Sequence, residues 1–160
     1  MQSLKKVNLK DLYNEDYLAW YEVTLEQIKR KNITDLDLDS LKEVLENLVR
    51  DIKRSGESYL KQIIIHLLLI EYWDSEKINH RHWAAEITNF RDELETDMTN
   101  NLRKHLEKER ENIYKKSVKY VLIKTGLNKK IFPNQCPYTL VQLLDDNWFP
   151  HNIDLTKFYP

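Results

Sequence analysis

The sequence predicts an all-α protein, and three observations carry that expectation. The 160-residue chain has only two glycines, Gly56 and Gly126, and four prolines, Pro133, Pro137, Pro150 and Pro160. Gly and Pro together make 6 of 160 residues, against roughly 12 per cent in an average globular chain. All four prolines lie in the last 28 residues, so the first 132 contain none. Apolar residues recur at three- and four-residue steps for most of the length, which is helical spacing. A P-loop and a dinucleotide-binding turn are excluded, because both need several glycines to bring backbone close to phosphate. Hairpin-rich β folds are disfavoured, because their tight turns draw on Gly, Asn-Gly or Asp-Gly.

The first helix is expected from about Glu15 to Lys31, with Asn14 as its N-cap. Tyr17, Trp20, Tyr21, Thr24, Leu25 and Ile28 form one stripe of it. A polar connector follows, and Asp37 or Asp39 caps the next helix. Leu38, Leu41, Val44, Leu45, Leu48, Val49 and Ile52 begin a stripe that continues through Tyr59, Leu60 and Ile63 to Trp73. This segment reads either as one helix of about 50 Å at 1.5 Å per residue, or as two helices kinked at Ser55–Gly56. The octet Ile63-Ile-Ile-His-Leu-Leu-Leu-Ile70 is apolar on every face, so other elements must surround it. A turn at Asp74–Asn79 leads to a third helix carrying Trp83, Ala84, Ile87, Phe90, Leu94 and Met98. Thr99 or Asn100 caps a fourth, carrying Leu102, Leu106, Ile113, Tyr114, Ser117, Val118, Val121 and Leu122, with Gly126 as a left-handed stop. A short helix over about Thr139–Asp145 and an aromatic tail (Trp148, Phe149, Phe158, Tyr159) complete the chain. The expected architecture is an antiparallel bundle of about four long helices with a short C-terminal helix and an ordered tail. One domain spans residues 1–160, with a core of about 12–150.

The charged fraction, 32%, suits long exposed helix faces, and the net charge of −1 predicts no polyanionic partner from bulk balance. A single Cys136 cannot form an internal disulfide, which fits a reducing, cytoplasmic setting. Met1–Lys10 has no apolar signal core. The longest apolar run has eight residues, far short of the roughly 20 that span a bilayer.

His66 is the foremost polar candidate. It sits inside the apolar octet, so its ring nitrogens must find partners. A metal ligand or general base, with Glu43, His80 or His82 nearby, is one reading. A core histidine bonded to a tyrosine hydroxyl or a carboxylate is the simpler one. His80 and His82, with Asp74 and Glu76, resemble loose ligand material. Residues two apart on a helix point in opposed directions, however, and cannot chelate together. Cys136 precedes a proline and lacks an adjacent base, so it reads as a structural thiol.

Asn100–Ile131 holds ten Lys or Arg against three Glu, a net of +7 that leaves −8 on the rest. Lys104, Lys108, Lys115 and Lys119 can share one face and track phosphates. The alternative is a solvated face with pairs such as Arg103–Glu107 and Glu111–Lys115. The aromatics Trp20, Tyr21, Trp73, Trp83, Trp148 and Phe149 read as core before they read as a stacking platform.

A set of short signatures stands together in the chain. The start reads Leu12-Tyr13-x-x-Asp16-Tyr17-x-x-Trp20-x-x-x-Thr24, and the second helix opens Leu36-Asp37-Leu38-Asp39-x-Leu41-x-Glu43. His66-Leu67-Leu68, Tyr72, and Trp83 leading to Ile87, Arg91 and Leu94 follow. The end reads Thr125-Gly126-Leu127, Phe132-Pro133, Cys136-Pro137-Tyr138-Thr139-Leu140, Leu143-Leu144 and Trp148-Phe149-Pro150. From about Leu12 to Pro150 the chain resembles the family called domain of unknown function number 29, common in cyanobacteria. That resemblance implies an all-helical fold and carries no assigned activity. The chain departs from the family pattern where Val44, and no second glutamate, follows Glu43. It departs again where Val49-Arg50-Asp51-Ile52 stands for Gly-x-Ser-Glu.

No catalytic constellation emerges, and the sequence calls for no cofactor. The leading expectation is a non-enzymatic interaction or adaptor module with an unidentified protein partner, homodimerisation being one option. Nucleic-acid binding through the basic helix 102–125 and a metal-dependent enzyme centred on His66 are the alternatives.

Overall fold

The computed structural model describes residues 8–150. The expected packing of Phe158 and Tyr159 lies outside the described residues. The fold is an all-α helical bundle, as the sequence predicts. Its helices are α1 (Leu9–Glu15), α2 (Tyr17–Lys29), α3 (Leu38–Tyr72), α4 (His80–Thr96), α5 (Asn100–Thr125) and α6 (Leu140–Leu144). Short 3-10 turns occupy Ile33–Asp35, Asp74–Asn79 and Lys129–Ile131. The chain divides into two compact units, residues 1–50 and 51–160, and the division falls within α3.

In the first unit, the expected cap at Asn14 gives way to two caps. The Asn8 side chain accepts from the Lys10 amide to start α1, and Asp16 accepts from Ala19 at 3.0 Å to start α2. Asn14 lies inside α1. The tight break at Asp16 lets Tyr13 meet Trp20 edge to face, at 5.1 Å between centroids. At its other end, α2 closes with Lys31 in the left-handed conformation, φ 55°. The Asn32 amide bonds back to the Gln27 carbonyl across that residue. Asp37 caps α3: its carboxylate accepts from the Ser40 amide at 3.1 Å and from the Ser40 hydroxyl at 2.6 Å.

The second unit holds the core. Ile63, Ile64, Ile65, Leu67, Leu68, Leu69 and Ile70 are all buried, as an octet apolar on every face requires. Ile87 and Leu94 of α4, and Leu106, Ile113, Tyr114 and Val121 of α5, pack with them. Phe132, Tyr138, Leu140 and Leu143 close the cluster from the C-terminal segment. α3 runs unbroken through Gly56. A Cβ at that glycine would stand 3.0 Å from Leu102 Cδ1 at the start of α5, so glycine serves close approach there and no kink forms. Thr99 caps α5 through the Leu102 amide, and Gly126 ends it at φ 69°. Thr139 and Gln142 form a reciprocal capping box on α6.

Candidate functional site

His66 has a local explanation. Its Nδ1 lies 2.7 Å from the Gln62 carbonyl oxygen one turn back. A carbonyl only accepts, so Nδ1 carries the proton and Nε2 the lone pair. The ring sits 5.7 Å from that of Phe90. Burial is the main cause that pulls its pKa below the usual histidine value, with the Gln62 carbonyl and Glu86 opposing. Glu43 is exposed and belongs to the first unit, whereas His66 belongs to the second. His80 is buried against Trp83, and His82 is exposed. Among the described residues, no group of three or more His, Cys, Asp or Glu side chains is arranged to hold a metal ion.

A polar network fastens the C-terminal segment to the second unit. The Cys136 amide donates to Glu111 Oε2 at 3.0 Å, and Arg110 donates to the Tyr138 carbonyl at 2.7 Å. The Tyr138 hydroxyl donates to Glu71 Oε2 at 2.5 Å, and burial pushes its pKa well up. Burial likewise raises the Cys136 thiol, the opposite of what a nucleophile needs. Arg91, buried in the stripe of α4, donates to the Leu143 and Gln142 carbonyls at 2.9 and 3.1 Å. Its guanidinium stands 5.0 Å from the centre of the Phe149 ring. Desolvation lowers Arg91 to about 10, against the pull of Asp146 and Asp145, so it stays charged at neutral pH. In the sequence Arg91 stands only as part of a signature. The available signal was a cation among Trp83, Ile87 and Leu94 on one apolar stripe.

Lys104, Lys108, Lys115 and Lys119 are all exposed on α5. At 3.6 residues per turn they fall within about 60° of one another. The expected pairs Arg103–Glu107 and Glu111–Lys115 do not form. Glu107 takes Arg110 at 3.1 Å, and Glu111 takes both Arg110 and the Cys136 amide. Glu111 thus serves the C-terminal segment, and among the described residues none of the four lysines makes an ion pair.

The most extensive candidate surface lies in the first unit. Leu38, Leu45, Leu48 and Val49 of α3 are each more than half exposed. Leu38, Leu45 and Val49, with Leu41, Lys42 and Glu46, line an apolar groove of about 500 Å³. On α2, Tyr17, Leu18, Tyr21, Leu25 and Ile28 are exposed as well. Of the expected α2 stripe only Trp20 and Thr24 are buried, so Tyr21 is corrected from core to surface. Trp83 is buried, and Trp73, Trp148 and Phe149 pack partly buried against the core of the second unit.

Residues 12–149 match the family described as Domain of unknown function DUF29. Comparison with curated proteins and with solved structures finds no match. The match spans most of the chain, and the protein belongs to that family.

Proposed function

We propose that this family member is a non-enzymatic protein-interaction module working in the cytoplasm, and that its first unit is the docking element. One observation carries the reading. The apolar stripe Leu38, Leu41, Leu45, Leu48 on α3 has the three–four spacing of a helix-pairing seam, yet it is largely exposed. The occupant is an amphipathic helix of a protein partner, laid into the groove by its apolar face. Lys42 and Glu46 on the groove wall pair with each other at 3.7 Å and edge the seam with polar groups. On this reading residues 1–160 act as a single domain, which the continuity of α3 through both units favours.

Leu45→Glu with Leu48→Glu tests this, since both sites are exposed and the change leaves the core intact. Affinity purification from native cells and analytical ultracentrifugation are run on both proteins. A protein recovered with the natural chain and lost with the variant supports the reading. So does a dimer that the variant dissociates, which would make a second copy the partner. Retention of the same associations by the variant, monomers with no partner, or turnover by pure protein would each overturn it.

A second reading, nucleic-acid binding, is favoured by the exposed row Lys104, Lys108, Lys115 and Lys119, none of which makes an ion pair among the described residues. It requires affinity that falls steeply with salt and is lost on reversing the four charges.

A further inference from the structure

The basic face of α5 runs into a concavity. Between the C-terminal half of α5 and the segment after it lies a cleft of about 430 Å³, a size within the roughly 300–1,000 Å³ of small-molecule sites. Leu122, Phe132 and Pro133 give it apolar walls, and Lys115, Lys119 and Lys129 contribute three cations. No carboxylate lines it. Among the described residues none of the three ammonium groups has an ion-pair partner, and Glu111, which the helical spacing offers to Lys115, is committed elsewhere.

The walls are held in place by the fold. The buried Tyr114 donates its hydroxyl to the Pro133 carbonyl at 2.8 Å, tying the far wall to α5. Phe132 is buried, with its ring 4.9 Å from that of Tyr72. Asn128 accepts from the Lys130 amide at 2.9 Å and sets the turn that carries Lys129. A preformed apolar cleft with cations of one sign at its lip concentrates anions there. Lysine suits the position because its stem lies along apolar surface while its head stays in water.

We propose that this cleft binds a small amphipathic anion, a free carboxylate on an apolar chain. The head would pair with Lys115, Lys119 and Lys129, and the chain would lie on Leu122, Phe132 and Pro133. The site is separate from the docking groove of the first unit, and its test is independent of that reading.

The experiment is calorimetric titration of the full chain with decanoate, 1-decanol and acetate. Saturable binding of decanoate is expected, with decanol (chain without charge) and acetate (charge without chain) each weaker by about tenfold or more. Asn134→Trp fills the cleft from an exposed position, so its fold is not at risk. It should weaken decanoate by about tenfold, as should Lys115→Glu with Lys119→Glu and Lys129→Glu. Lys104→Glu with Lys108→Glu, outside the lining, should leave binding unchanged. The proposal is overturned by decanol binding as tightly as decanoate, or by Asn134→Trp binding like the natural chain. Equal loss on reversing Lys104 and Lys108, meaning a diffuse basic face, also overturns it, as does no saturable heat up to about 1 mM, the weak end of specific affinity.

Discussion

The two units spend their apolar residues in opposite ways. In residues 51–160 the side chains of α3, α4, α5 and the C-terminal segment form a continuous buried cluster. Among the described residues of the first unit, Trp20 is the one buried apolar side chain, and Leu18, Leu38, Leu45, Leu48 and Val49 face solvent. Part of the difference lies in the octet at 63–70, apolar on every face, but both units also carry amphipathic stripes. A stripe stabilises a fold only when something covers it, at roughly 25 cal/mol per Å² removed from water. The second unit covers its stripes internally. The first leaves them available, and on the proposed reading a partner covers them. The helix ends differ in the same direction. α5 stops on Gly126 at φ 69°, where glycine fits without strain, while α2 stops on Lys31 at φ 55°, where a side chain resists the conformation.

The contrast can be broken most directly by truncating leucines. Leu67→Ala, in the core, should destabilise by about 2–5 kcal/mol. Leu45→Ala, at an exposed site, should change the stability of the monomer by no more than about 0.5 kcal/mol. Urea unfolding of both variants decides, and similar losses would erase the distinction between the units.

Arg91→Met keeps an apolar stem but leaves the Gln142 and Leu143 carbonyls without their charged donor. A loss of about 2 kcal/mol is expected, read by urea unfolding.

The caps sharpen the comparison by about 1 kcal/mol each, the cost of left-handed backbone to a side chain. Gly126→Ala should lower the melting temperature and Lys31→Gly should raise it. Two changes of the same sign would refute the cap argument.

Acid gives the smallest effect. Burial lowers the pKa of both His66 and His80, so the folded state resists protonation that the unfolded chain accepts from about pH 6.5 downward. Their contribution is fully present above that pH and is lost below it. Melting temperature should therefore fall between about pH 7 and pH 5, and His66→Gln should flatten part of the fall.

Much of the fold was legible because its causes are local. Asp37, Thr99 and Gly126 act on amides or carbonyls within one turn, and the octet around His66 advertises its own burial. Asn14 misled because Asp16, two residues on, is an equally good cap and ring packing between Tyr13 and Trp20 favours the later break. The pair Glu111–Lys115 has the right spacing, but the Cys136 amide, 25 residues away in sequence, takes the carboxylate. Periodicity places Leu45 and Leu48 on a face without telling whether any element covers it. The cleft beside Lys119 was invisible for a related reason. Lys129 and Phe132 reach it from an aperiodic stretch, which long-range contacts such as the Tyr114 hydroxyl on the Pro133 carbonyl bring onto α5.

The fastening of the C-terminal segment also bears on the order in which the chain can mature. Phe132, Tyr138, Leu140 and Leu143 belong to the same cluster as the octet at 63–70, yet a ribosome makes them some seventy residues later. Until they emerge, the nascent bundle holds a hydrophobic gap where they will sit, and Arg91 has no carbonyls to meet. Interrupting synthesis near Gly126 would release every long helix with the core still open, a species suited to capture by chaperones.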